Sequence, residues 1–358
     1  MGVTVGDLAA DNDPMATTLT PVERRLFSHD SLTIGATGVC LGAVIALTVY
    51  LRFGEHYFFL SDGALYRVVA RWPFADGHVL RPVAPVYGDS YRYGRILYPL
   101  LAWILGGGQR GPISFTLIAL NVASVGIMLA VSAELCQRAG RPARLGYAVL
   151  AAPGLLASLL VAVAEPSVIA LTLLAYLLAA DGRRRAVLVV AALALLCREA
   201  AIVALVPLAW ADISMDRRRA AGWCLPVAAL LAWWTWVRAR VGQWPFLDPS
   251  VSRRQALAPP VDGWFRMLQV RLSGDLLFVM AVAVVTLVAA ILLARGYPRV
   301  PIIQGALLTS LVLLLLGTNA VRFAGECLRL MSLAQVLVIT GFVSRPAAGP
   351  SWRALRTP

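Results

Sequence analysis

Residues 274–295 read GDLLFVMAVAVVTLVAAILLAR, and the run from Leu276 to Ala294 carries no charged side chain. A helix of that length covers roughly 28 Å at 1.5 Å per residue, close to the ~30 Å hydrocarbon core of a bilayer. Similar apolar runs lie at about Ser31 to Leu51, 112–136, 144–163, 166–181, 221–239, 300–318 and 327–343. Composition agrees, since 59% of the 358 residues are hydrophobic and only 14% are charged. A soluble domain of this size has no way to hide so much apolar surface. The expected fold is therefore all-α, a polytopic transmembrane helix bundle.

Between Arg185 and Arg217 one apolar region is interrupted by Cys197-Arg198-Glu199. It reads either as one long span with a mid-membrane ion pair or as two half-helices meeting there. The second reading returns the chain to its starting side and gives about ten membrane segments. It divides the chain into a cytoplasmic tail at 1–30, one transmembrane unit at 31–344 and a cytoplasmic tail at 345–358. Residues 52–95 form a long polar first loop on the outer side. Residues 96–108, ILYPLLAWILGGG, are too short to span and suit a juxtamembrane or re-entrant helix ended by the glycines and Pro112. No internal repeat is visible, which counts against inverted-repeat transporters.

The net charge is +13, and with no lysine in the chain all 32 basic residues are arginines. Many fall in short turns (138–144, 183–185, 217–219, 295–299), where they snorkel and set topology with both termini cytoplasmic. About 16 arginines fall on that side, but about 14 lie opposite, twelve of them clustered in 52–95 and 238–271. Such an excess on a translocated face fits binding of an anionic ligand there, or an inverted topology. Arginine suits planar phosphate recognition, although a GC-rich bacterial genome also favours it. The distribution does not suggest nucleic acid. Cys40, Cys136, Cys197, Cys224 and Cys327 form no C-x-x-C motif and read as small core residues, while His29, His56 and His78 make no ligand pattern. No metal or cofactor is expected, and no cleavable signal precedes the first span.

The first loop is the richest in chemistry. In SDGALYRVVA (61–70) helical spacing puts Leu65, Tyr66, Val69 and Ala70 on one stripe, so an interfacial helix would hold Asp62 near the membrane surface. Asp62 can serve as a general base or simply as the helix N-cap. Further along, GDSYRYGRILYP (88–99) offers Asp89 as a competing base. There Arg92 and Arg95 are interleaved with Tyr91, Tyr93 and Tyr98. They can grip a phosphate while the rings line a sugar or isoprenoid, or they form an aromatic belt with snorkelling arginines.

Charges inside apolar segments are costly and point to function by default. Arg198 and Glu199 are such a pair. Glu165-Pro166 suits a helix start at the outer mouth. Arg322, Glu326 and Arg329 share a face of the last span, holding a phosphate or pairing with one another. In the preferred topology Asp62, Asp89, Glu165, Arg198 and Arg322 all fall on one side.

With those residues in view, the chain resembles the bacterial GT-C membrane glycosyltransferases, which use polyprenyl-phosphate sugars. The likeness rests on SDGALYRVVA (61–70), YRYGRILYPLLAWIL (91–105), AEPSVIALTLLAYLLA (164–179) and LALLCREAAIVAL (193–205), and covers about residues 32 to 211. The resemblance implies a GT-C-like bundle that performs an inverting transfer to an envelope glycan, lipid or protein. Asp62, or else Asp89, would deprotonate the acceptor hydroxyl. Arg92, Arg95, Arg198 and Arg322 would stabilise the departing polyprenyl phosphate, with Tyr91, Tyr93 and Tyr98 nearby. Tyr66, Glu165, Glu199, Glu326 and Arg329 would support the site. It further implies a bacterial plasma-membrane location with the site facing outward, contact with membrane lipids, and partner proteins of envelope assembly. Two other classes stay open: a transporter or flippase for an anionic lipid or solute, and a non-catalytic envelope-assembly subunit.

Overall fold

A computed structural model describes residues 25–60, 62–74, 89–247, 259–270, 273–316, 321 and 324–345. These residues are predominantly helical, with no β-strand among them. In chain order the helices are α1 His29–Phe53, α2 Asp62–Arg71, α3 Asp89–Tyr93, α4 Leu97–Leu105, α5 Ile113–Arg138, α6 Pro153–Leu159, α7 Glu165–Ala180 and α8 Arg184–Cys197. They continue as α9 Ala201–Met215, α10 Arg217–Gly222, α11 Cys224–Val241, α12 Asp262–Val270, α13 Gly274–Gly296, α14 Pro301–Val312 and α15 Ala324–Val343.

Among the described residues five helical stretches are long and apolar enough to cross a membrane: His29–Phe53, Ile113–Arg138, Arg219–Val241, Gly274–Gly296 and Gly325–Val343. Glu165–Ala180, Ala201–Met215 and Pro301–Leu315 are apolar but shorter. The long helices turn large apolar side chains outward, including Leu51, Phe115, Val285 and Leu292. Such a surface suits an apolar solvent.

Inside, the helices close on small residues and shared hydroxyls. An added Cβ at Gly35 of α1 would meet Ala130 Cβ at 2.9 Å and the Gly126 carbonyl oxygen of α5 at 3.0 Å, so these two backbones touch. Ser124 meets Ser167 across α5 and α7 at 2.9 Å, and Gln335 on α15 accepts the Gly154 N–H of α6 at 2.8 Å. Polar groups buried in apolar surroundings must find partners in this way.

Two sequence expectations change. The expected span at 144–163 is not one helix: Ala143–Ala151 is a 3-10 turn, followed by α6. Pro153 is the cause, because proline disfavours the α conformation in the residue before it, and Ala152 is indeed extended (φ −73°, ψ 109°). The cysteines also divide, with Cys136, Cys197 and Cys327 buried but Cys40 and Cys224 exposed on the outward faces of their helices. By contrast, the interrupted region does form two helices. α8 ends at Cys197 and α9 begins at Ala201.

A polar clamp marks one end of the bundle. Arg138 bonds Glu134 and the Leu26 carbonyl at 3.0 Å each and also pairs with Asp181, while the Ser28 N–H donates to Glu134 at 2.9 Å. From Asp181 the 16 residues of α7 run back roughly 24 Å to Glu165. Glu165 therefore belongs to a second polar layer at the opposite end.

Candidate functional site

At that opposite end α2 lies against α4 and α5. Leu65, Tyr66, Val69 and Ala70 are buried, as their helical stripe predicts. They are buried by protein, however, and not by an interface: the Tyr66 ring meets Tyr98 of α4 edge-on at 5.5 Å, with the ring planes at 89°. This packing holds Asp62 inward, with 17% of its side chain exposed.

The Asp62 carboxylate pairs with Arg92 of α3 and, at 3.6 Å, with Nη2 of Arg329 on α15. Arg329 also lies 3.9 Å from Glu326. Arg198 and Glu199 do not pair with each other. Arg198 joins Glu165 at the start of α7, while Arg95 grips Glu199 through Nε at 2.9 Å and Nη2 at 2.5 Å. Arg95 also bonds the Tyr91 hydroxyl and sits 4.2 Å from that ring's centroid, with Arg92 at 4.9 Å. Among the described residues the cluster thus sets Asp62, Glu165, Glu199 and Glu326 against Arg92, Arg95, Arg198 and Arg329. The charges balance.

Burial alone would push the Asp62 carboxyl up, but Arg92 and then Arg329 outweigh it and hold Asp62 below its ordinary 3.8. Arg95 and Arg198 act in the same direction from further away. Burial pushes the Tyr66 hydroxyl up to about 12, so this phenol stays protonated and can donate. Asp62 is therefore an ionised carboxylate at the start of α2, held by two guanidinium groups.

Most of the residues predicted from sequence do meet here, with three differences. Tyr93 and Tyr98 are core residues: their hydroxyls donate to the Trp72 carbonyl at 2.6 Å and the Leu117 carbonyl at 2.8 Å. Their rings do not face a lipid surface. Arg95 and Arg198 are each committed to a carboxylate of their own. Asp89 opens α3, but its side chain lies outside the described residues, as do Arg322 and most of the loop between α2 and α3.

The sequence reading missed the braces behind the cluster. Trp233 donates its indole N–H to the Tyr93 carbonyl at 2.6 Å and stacks on Trp236 at 4.5 Å. Phe74 meets Trp103 and Trp236 edge-on at 5.9 and 6.1 Å. The WWTW run at 233–236 was the available signal.

Gly63, next to Asp62, shows how tightly α2 is seated. A Cβ there would overlap the Phe58 carbonyl and lie 3.2 Å from Val161 Cγ1. Gly63→Ala should cost about 1–3 kcal/mol of stability, the usual penalty of overpacking, seen as a lower melting midpoint in detergent. Any activity that depends on Asp62 should fall by about 100-fold, since a shift near 1 Å is that costly. An unchanged midpoint would show that α2 moves freely at this contact.

No family model, curated protein or solved structure matches the chain.

Proposed function

We propose that this protein is an integral membrane glycosyltransferase that moves a sugar from a polyprenyl-phosphate donor to an envelope acceptor, with Asp62 as the base. One observation carries the reading: charged side chains from α2, α3, the α8–α9 break, the start of α7 and the start of α15 gather in one cluster, in which the Asp62 carboxylate meets Arg92 and Arg329 directly. A carboxylate perturbed by burial and specific charge partners in such a cluster is a candidate base. In the proposed arrangement about ten membrane segments form a GT-C-like bundle, both termini are cytoplasmic and the site faces outward.

The reaction needs little beyond what the cluster holds. Asp62 takes the proton of the acceptor hydroxyl, the oxygen attacks the anomeric carbon, and the electron pair of the broken C–O bond leaves with the phosphate. Guanidinium groups placed where that charge grows lower the barrier. The balanced charges refine the sequence reading. Arg95 and Arg198 hold the frame, while Arg92 and Arg329, which already touch Asp62, stand nearest the reacting atoms.

The break between α8 and α9 favours a second reading, a transporter for an anionic lipid, because broken helices line such pathways. Membranes with and without the protein separate the two. With a polyprenyl-phosphate sugar supplied, a transferase should deplete the donor and yield a new glycoside by mass spectrometry. Counterflow of the intact donor with no glycosidic bond formed would favour transport and overturn the transferase reading.

A further inference from the structure

Arg329 is held differently from the other buried arginines of the cluster. Arg95 forms a two-pronged pair with Glu199, and Arg198 pairs closely with Glu165. Arg329 is just as buried, at 6% exposed, yet both of its carboxylate contacts run through Nη2 and are long, at 3.6 and 3.9 Å. Its Nη1 edge has no hydrogen-bond partner. The Tyr66 hydroxyl and Glu165 Oε2, also in the cluster, are buried without partners as well. Buried donors are normally satisfied, because leaving one unpaired is costly. Arg329 and Tyr66 both have donors to offer, which fit an anionic oxygen, while Glu165 Oε2 is an acceptor and fits a hydroxyl donor.

We propose that Arg329 is a phosphate-operated latch on the base: the phosphodiester of the donor takes Arg329 by its unpaired Nη1 edge, draws the guanidinium off Asp62, and thereby frees the carboxylate to accept a proton. The inference rests on the transferase reading, and it specifies how the donor prepares the site. A guanidinium–phosphate fork is shorter and stronger than a 3.6 Å contact to one carboxylate oxygen. Once released, Asp62 still faces Arg92 on α3 and Tyr66 on its own helix. Arg95, Arg198 and Glu165 stand further off, and Glu326 lies beside Arg329. The loss of one cation from this set makes Asp62 more basic. In the transfer the acceptor O–H proton passes to Asp62 and the new C–O bond forms. The electron pair of the broken bond goes to the phosphate oxygen that Arg329 now holds. The base is thus armed only when the leaving group is in place, which guards the site against acting on acceptor alone.

The test uses the full-length protein in nanodiscs, with geranyl phosphate, an analogue of the leaving group, or inorganic phosphate as the probe. Binding is read by calorimetry. The protonation of Asp62 is read by carbodiimide labelling, which modifies the protonated carboxyl, quantified by mass spectrometry across a pH series. Geranyl phosphate should move the labelling midpoint up by about 1 pH unit. In Arg329→Gln the midpoint should already be raised and should not respond, and affinity should drop about 10- to 100-fold, the worth of a charge-assisted hydrogen bond. Arg329→Lys keeps the charge but loses the fork. It should retain the low midpoint and show a smaller shift, and it serves should the glutamine variant misfold.

A matching shift with inorganic phosphate supports the latch and shows that the lipid is not needed for it. Binding with an unmoved midpoint in the native protein overturns the latch and leaves the transferase reading standing. Failure of geranyl phosphate to bind overturns the latch, while depletion of the sugar-bearing donor decides the transferase reading separately.

Discussion

Asp62→Asn is expected to lower sugar transfer by about 10²- to 10⁴-fold, the usual contribution of a positioned general base. Asparagine keeps the shape of the side chain and an oxygen for Arg92 and Arg329, but it cannot accept a proton. Donor binding should therefore survive while the chemical step is lost, and a single-turnover assay in membranes separates the two. The pH profile gives a second check. Arg92 and Arg329 hold the carboxyl below its ordinary value, so Asp62 is ionised at neutral pH and its ion pairs contribute there. Because the folded-state value is the lower one, that contribution is present above the ordinary carboxylate range and is lost as pH falls through the depressed value. The acid limb of kcat/KM reports the free protein and should lie low. The limb of kcat reports the donor complex and should lie higher if Arg329 has left Asp62. An asparagine variant with full activity would remove Asp62 as the base and turn attention to Asp89.

The features legible in the sequence were those set by local periodicity. The apolar runs of α1, α5 and α13 required nothing but length and the absence of charge. The stripe on α2 needed only helical spacing, and the division between α8 and α9 showed as two adjacent opposite charges in an apolar run. Pairing was another matter. Arg198 and Glu199 are adjacent and of opposite charge, yet each bonds elsewhere. Arg198 sits in extended backbone at the end of α8 (φ −162°, ψ 124°), where successive side chains point to opposite sides. One reaches Glu165 and the other Arg95. No spacing rule reveals that, because both partners come from distant segments. The rings of Tyr93 and Tyr98 mislead for a related reason, since an interface and a core both favour tyrosine, and only packing decides.

The buried pair between Glu165 and Arg198 carries the second large effect. Glu165→Gln should destabilise the protein by about 3–5 kcal/mol, because it strands a buried guanidinium. Glu165 and Arg198 are 4% and 7% exposed, so water does little to compensate either charge. Arg95, a neighbouring cation of Arg198, would then repel it with only the more distant Asp62 and Glu199 carboxylates to offset it. Glu165→Gln should therefore melt well below the native protein in detergent. The double variant Glu165→Gln with Arg198→Gln should recover part of the loss, since two neutral amides leave no bare charge. That recovery is the informative result. If the double variant instead melts lower than either single one, the pair is not what closes α7 onto the α8–α9 break. Stability and chemistry also separate here. With Arg198 neutral and α7 still seated, Asp62 keeps Arg92 and Arg329, and the rescued protein should retain more transfer activity than Glu165→Gln alone. A double variant that is stable but inactive would mean that Arg198 acts on the substrate directly, and would move it from the frame of the site into its chemistry.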